Sequence, residues 1–285
     1  MKLNEVLTKS IQFFKDKKIE TARLDAEILI SHALKIPRIQ LYVKYDQPLT
    51  ENEITLCREF VRRRSLGEPV AYITEDKGFY GLNFKVKSGV LIPRPETELI
   101  VDEVLTDHKK KSTSVIMRVL DLGSGTGCIG LSILKNIPQA ELITIEKSRV
   151  AFEVLTENIK LLELTDRVKA IHNDVLKVDL SEFERFDYIV SNPPYIDQND
   201  KQTEQFVKKY EPHEALFSLD QGLSDIKSWA AQYSHLVKPD GLILFEMGYQ
   251  QGSAVKSYFE NLQIFKTVDV IKDLSGLDRI IKARA

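Results

Sequence analysis

The spacing of apolar positions changes character along the chain. Up to Glu68 it is helical: Leu3, Val6, Leu7, Ile11 and Phe14 recur at one spacing, and Leu24, Ile28, Leu29 and Ala33 repeat it in a stretch that stops before Pro37. Thr50-Glu51-Asn52-Glu53 is a capping-box pattern, in which a hydroxyl and a carboxylate satisfy backbone N–H groups at a helix start. Ile54, Cys57 and Val61 then form an apolar stripe that ends at Gly67. Residues 1–68 are thus predicted to be a small helical domain. From Pro69 the period shortens: Val70-Ala71-Tyr72-Ile73 and Phe79 to Val86 are β-rich runs with glycine between them, which predicts a β-hairpin linker over residues 69–92. Leu91-Ile92-Pro93-Arg94-Pro95-Glu96-Thr97-Glu98 then leads into a helix with Pro95 near its first turn and Leu99, Ile100 and Val104 on its apolar side.

Beyond residue 93 strand and helix patterns alternate. Strands are predicted at 115–120, 141–145, 168–172, 187–190, 241–245, 264–270 and 279–282, with a polar bridge over 109–114 before the first. A helix is predicted over 148–162, with Val150, Val154, Ile159 and Leu162 on its buried face. Such alternation specifies an α/β domain over residues 93–285: a mostly parallel sheet covered by helices on both faces.

Composition narrows the function classes. A chain of 285 residues with 43% hydrophobic and 29% charged residues is ordinary for a globular protein with a sizeable core. It has no apolar run of about 18 residues, so no membrane span is expected. Met1-Lys2-Leu3-Asn4-Glu5 lacks an apolar signal core behind it, so a cytoplasmic location is expected. Cys57 and Cys128 lie far apart without metal-ligand spacing, and the five histidines are scattered; no metal is expected. A net charge of -2 gives no general attraction for nucleic acid or anionic membranes. The distribution is uneven, with 16 Lys and Arg against 12 Asp and Glu over residues 1–90 and an acidic remainder.

Chemistry gathers at strand ends. The first strand of the alternating region runs into Asp121-Leu122-Gly123-Ser124-Gly125-Thr126-Gly127, where glycines permit a tight turn and close approach of backbone to a ligand. Gly125, Gly127 and Gly130 also fit the dinucleotide fingerprint, with Glu146 near the place of its ribose-binding acid. Two cofactors therefore compete: a nicotinamide dinucleotide, or S-adenosylmethionine with Glu146 on its ribose hydroxyls. Asn173-Asp174-Val175 follows the third strand, where Asp174 can accept from an adenine amine, or cap a helix, and Val175 can pack on the ring. The fourth strand ends in Ser191-Asn192-Pro193-Pro194-Tyr195. Two prolines cannot donate to a sheet ladder, so an amide side chain, backbone carbonyls and an aromatic ring are left to form a pocket suited to a planar NH2 group.

With this motif the chain resembles the HemK-type protein-(glutamine-N5) methyltransferases that modify peptide chain release factors. The likeness includes Ala22-Arg23-Leu24-Asp25-Ala26-Glu27, Gly67-Glu68-Pro69-Val70-Ala71-Tyr72, Arg94-Pro95-Glu96-Thr97-Glu98, the glycine loop, Glu211-Pro212, Phe245-Glu246 and Asp278-Arg279. The Asn192 motif is shared with DNA adenine and RNA guanine methyltransferases; the Arg94 run is more discriminating, since the sister family acting on a ribosomal protein has a Ser-Pro pair after the arginine. Thr74-Glu75 departs from an expected apolar-Gly pair, and Glu146 stands for the commoner Asp. The resemblance implies a Rossmann-like class I methyltransferase sheet of seven strands behind a substrate-recognition domain, with S-adenosylmethionine as cofactor. It implies N5-methylation of the glutamine in the GGQ motif of class 1 release factors by a cytoplasmic monomer without direct nucleic-acid binding. Gly123, Ser124, Gly125, Thr126, Gly127, Glu146, Asp174, Val175 and Asn192 would bind cofactor. Asn192, Pro193, Pro194 and Tyr195 would hold the reacting amide, and Arg94, Glu96 and Thr97 would stand at the substrate mouth. A ribosomal protein or a DNA adenine as substrate, a nicotinamide oxidoreductase and a noncatalytic module remain the alternatives.

Overall fold

The computed structural model describes residues 1–111, 116–181, 183–200 and 205–285. Its contacts divide the chain into two compact units, Met1–Asp76 and Lys77–Ala285.

The first unit is helical: α1 (Leu3–Asp16), α2 (Ala22–Ala33), α3 (Gln40–Val43), α4 (Glu51–Ser65) and α5 (Val70–Thr74). Phe14, Leu29, Ile30, Leu41, Ile54 and Cys57 are among its core residues. The capping box forms, with the Glu53 N–H donating to Thr50 Oγ1 at 3.3 Å and the Thr50 N–H to Glu53 Oε2 at 2.8 Å, a device that stabilises a helix by about 1 kcal/mol. The buried side of α2 is turned part-way from the predicted one. Leu29 and Ala33 are buried as predicted, but Leu24 is exposed, and Ala22, Ala26 and Ile30 are buried as well. The acids of this helix explain the rotation: buried Asp25 and Glu27 receive Arg64 and Arg38, each at 2.7 Å. Partners distant in sequence thus decide which way α2 faces. A second correction concerns Val70-Ala71-Tyr72-Ile73, predicted as a strand. Pro69 fits a helix start, Val70 and Ile73 pack into this unit's core, and the result is α5. Burial outweighs β propensity here.

The hairpin β1 (Asp76–Phe79) and β2 (Leu82–Lys85) follows, and all of it but Asp76 belongs to the second unit. Its turn residues Tyr80 and Gly81 both have positive φ, the primed kind of turn that matches strand twist. A 3-10 turn, Pro95–Thr97, leads into α6 (Glu98–Lys111). The sheet region then runs β3 (Met117–Leu122), α7 (Cys128–Asn136), β4 (Ala140–Glu146), α8 (Arg149–Leu161), β5 (Val168–His172) and β6 (Phe186–Ser191). Short pieces follow: β7 (Ile196–Asp197), α9 (Gln205–Tyr210), α10 (His213–Leu216), β8 (Phe217–Ser218) and the turn α11 (Leu219–Gly222). The chain closes with α12 (Ser224–Tyr233), β9 (Val237–Glu246), α13 (Gly252–Asn261), β10 (Thr267–Lys272) and β11 (Asp278–Arg284).

The seven-stranded sheet has the order β10-β11-β9-β6-β3-β4-β5. Its strands are parallel from β9 to β5, while β11 runs antiparallel to both neighbours. Period-two alternation feeds a core on each face: Val119 and Tyr188 lie in one, Leu120 and Ile189 in the other. The strands match the predicted ones to within a few residues, with β5 at the predicted bounds and most of the others longer. The exception is 264–270, which starts late at Thr267 because Phe265 leaves the strand to stack on Phe259 at 5.6 Å. Residues 112–115, which include the predicted start of the first strand and part of the polar bridge, lie outside the described residues. On α8 the predicted Val150 is exposed, and Leu155 fills the buried face beside Val154 and Ile159. The chain moves from β3 to β4 and β5 in one direction and to β6 and β9 in the other. This places a topological switch point at the carboxyl end of β3, the usual ligand crevice of an open sheet.

Candidate active site

At that switch point the glycine loop closes the end of β3. The N–H groups of Gly123 and Ser124 donate to the Ile145 carbonyl at 2.9 and 3.2 Å, and the Gly127 N–H donates to Ser124 at 2.8 Å. Gly123, Gly125 and Gly127 all have positive φ. A Cβ on Gly123 would stand 2.7 Å from the Trp229 ring, and one on Gly127 2.5 Å from Leu155. These two glycines let the loop pack on its neighbours. Gly125 differs: a Cβ there would meet nothing within 4 Å, and Gly125 lines the cavity, so open ligand space lies beside its backbone.

That cavity has a volume of about 670 Å³, within the ordinary range for a small-molecule site. Gly123, Ser124, Gly125, Thr126, Glu146, Asp174, Val175, Asn192, Pro194, Arg94 and Thr97 line it together. Of the residues expected from the sequence, Gly127, Pro193, Tyr195 and Glu96 do not. Gly127 caps α7, Pro193 is buried, and Glu96 is exposed.

Glu146 ends β4 and is 8% exposed. Its Oε2 accepts from the Gly125 N–H at 2.8 Å and its Oε1 from the Ser148 N–H at 2.7 Å. Each carboxylate oxygen retains a second lone pair for a ligand hydroxyl. Burial pushes the Glu146 carboxyl above its ordinary value, against the pull of those N–H groups. Asp174 caps the turn at Val175, accepting from the Leu176 N–H at 3.0 Å, with Lys147 at 3.4 Å. Burial works against its charge, yet the Leu176 N–H and Lys147 hold its carboxyl below the ordinary value. The cap and the cavity-lining position coexist, since they use different lone pairs.

Asn192 follows β6, which Ser191 ties to β3 by donating to the Leu122 carbonyl at 2.8 Å. The Asn192 Nδ2 donates to Thr97 Oγ1 at 3.2 Å, and Thr97 donates to Glu246 Oε2 at 2.6 Å. Tyr195 donates to Glu246 Oε1 at 3.0 Å. Tyr195 is fixed further by Gln251, whose Nε2 donates to its carbonyl at 2.9 Å. Arg94 reaches Glu211 at 2.5 Å, and Glu211 also accepts from the Ile92 N–H at 3.3 Å, which fastens the segment before α6.

Several residues in and behind the site escaped the sequence reading. Glu211 and Glu246 stood out only as parts of a resemblance, Trp229 not at all. Asp121 showed only as the residue before the loop. Its Oδ2 accepts from the Gly130 N–H at 3.1 Å, its Oδ1 has no partner, and burial pushes its carboxyl up to about 7. Among the described residues no group of His, Cys, Asp and Glu is arranged to hold a metal, and no helix is long and apolar enough to cross a membrane.

Residues 97–214 match the model of the methyltransferase small domain. Solved structures share the fold: the human METTL16 catalytic domain in complex with an RNA hairpin, at TM-score 0.56 and 15% identity over 72% of this chain and 76% of that one, and the N-terminal domain of human METTL16 with SAH, at TM-score 0.51 and 17% identity over 72% and 76%. Fold and site therefore define a methyltransferase. Residues 5–74 match the PrmC N-terminal domain. A release factor glutamine methyltransferase of Clostridium botulinum is 37% identical across 100% of this chain and 99% of its own, and that of Leptospira interrogans 36% across 97% and 96%. The chain belongs to the release factor glutamine methyltransferase family, and is a protein-(glutamine-N5) methyltransferase. The nicotinamide reading of Gly125, Gly127 and Gly130 falls with that result.

Proposed function

We propose that the protein transfers a methyl group from S-adenosylmethionine to the side-chain nitrogen of the glutamine in the GGQ motif of class 1 peptide chain release factors. The observation that carries this reading is that Asn192 lines the same cavity as the glycine loop and Glu146. An amide-binding group and a cofactor cradle thus meet in one space. The cradle fits the cofactor: Gly125 leaves room beside its backbone, Glu146 has lone pairs for ribose hydroxyls, and Asp174 with Val175 suits an adenine edge and face. When bound, S-adenosylmethionine supplies an electrophilic methyl group on a sulfonium.

An amide nitrogen is a poor nucleophile because its lone pair is delocalised into the carbonyl. The protein's work is therefore orientation and exclusion of water. Asn192 Oδ1 and the Pro193 carbonyl accept the two N–H bonds of the glutamine amide and aim its nitrogen. As positive charge passes to that nitrogen, both acceptors hold it more tightly than they held the neutral amide, which lowers the barrier. The methylated nitrogen is then acidic enough to lose its proton without a strong base. Arg94 and Thr97 line the same cavity, and Thr97 lies buried against Asn192.

The test is to incubate the protein with labelled S-adenosylmethionine and to offer release factor, ribosomal protein and DNA separately. Label in the release factor is the expected result. Label in ribosomal protein or DNA alone would overturn the reading.

A further inference from the structure

We propose that Glu246 is a positioning residue that sets the polarity of the Asn192 amide, so that the site offers an acceptor and discriminates against a carboxylate in place of the target amide. The inference rests on the glutamine reading above. Its basis is a count of protons along one chain of hydrogen bonds. Thr97 has a single hydroxyl proton, and Glu246 in its ionised form can only accept. The 2.6 Å contact therefore commits that proton to Glu246 Oε2. Thr97 Oγ1 is left as an acceptor, and the Asn192 atom 3.2 Å away must be its NH2 group. The amide oxygen Oδ1 is consequently the end turned away from Thr97, and Asn192 lines the cavity. A substrate meeting that oxygen must bring N–H bonds.

The other carboxylate oxygen is used as well. Tyr195 donates to Glu246 Oε1 at 3.0 Å, so one acid holds both ends of the Asn192-Pro193-Pro194-Tyr195 segment. Glu246 itself is 1% exposed at the end of β9, the strand beside β6, and the Thr97 side chain is also 1% exposed. The Thr97–Glu246 contact is thus shielded from bulk solvent. A glutamine at 246 reverses it: its NH2 can donate to Thr97, whose hydroxyl then donates to Asn192 Oδ1, and the Asn192 NH2 becomes the free end. Shape is nearly conserved while hydrogen-bond direction is inverted.

The experiment uses the full chain with Glu246→Gln, Thr97→Val and Thr97→Ser. Substrates are release factor and a release factor carrying glutamate at the target glutamine; cofactor affinity is measured alongside. For Glu246→Gln and Thr97→Val we expect kcat to fall about a hundredfold, the scale of one lost transition-state hydrogen bond, with cofactor affinity kept. Binding preference for glutamine over glutamate should fall about tenfold in Glu246→Gln, equivalent to 1.4 kcal/mol. Thr97→Ser restores the hydroxyl and should return kcat to within about threefold of wild type, a rescue that packing alone does not predict. Unchanged preference and kcat in Glu246→Gln, or a serine variant no better than the valine variant, would overturn the relay while leaving the glutamine reading intact. A wild-type protein that fails to methylate release factor would overturn that reading and the relay with it.

Discussion

Glu246 shows why a single buried acid matters more than its place in the sequence suggests. Its donors are 149 and 51 residues away, at Thr97 and Tyr195, so no local pattern announces the network. Asn192 and the glycine loop were readable because each sits in a contiguous motif at a strand end, and Glu146 because of its distance from that loop. Burial pushes the Glu246 carboxyl above its ordinary value, while Thr97 and Tyr195 and the charge of Arg279 on β11 oppose the shift and Glu96 on the Pro95–Thr97 turn adds to it. Cys128, at the start of α7, also senses this charge, and its thiol is raised largely by burial. The relay needs the anion, so activity is present above the raised value and is lost as pH falls through it. A pH profile of kcat should show an acid limb above the ordinary carboxylate range, absent from the residual activity of Glu246→Gln; an identical limb in that variant would assign it to another group.

At the scale of elements, the sequence read the sheet well and the joints less well. Strands buried on both faces announce themselves as short β-branched runs, and β3 to β6 came out within a few residues of their observed ends. Faces and short helices depend on partners remote in sequence, which is why α2 turns toward Arg64 and Arg38 and why Val70 to Ile73 is helical. Glu75 ends α5 at φ +54, a conformation suited to glycine and costing an L residue about 1–2 kcal/mol. It is the position where the resemblance expected a glycine. Glu75→Gly should stabilise the helical unit by up to about 1 kcal/mol, read as a higher denaturant midpoint. A lower midpoint would show that the Glu75 side chain contributes more than its backbone strain costs.

For the molecule as a whole, the chain forms two units with separate apolar cores. The core of the first lies within Leu3 to Ile73, and those of the second begin at Phe79. Every residue lining the cavity belongs to the second. A chain of residues 77–285 should therefore bind S-adenosylmethionine with affinity within about threefold of the full protein, measured by calorimetry, while losing most transfer to release factor. Full transfer by the shortened chain would remove the recognition role assigned to the helical unit. The division into a helical front and an α/β body was visible in the change of hydrophobic period alone. The role of the helical unit was not, because a solvated helix face carries little pattern. The central claim is that Asn192 holds a glutamine amide for methylation. Tandem mass spectrometry of release factor after reaction tests it most directly. We expect wild type to add one methyl group to the GGQ glutamine side chain, and Asn192→Ala to do so about a hundredfold more slowly with cofactor binding retained. Methylation at another residue, or an undiminished rate in Asn192→Ala, would contradict it.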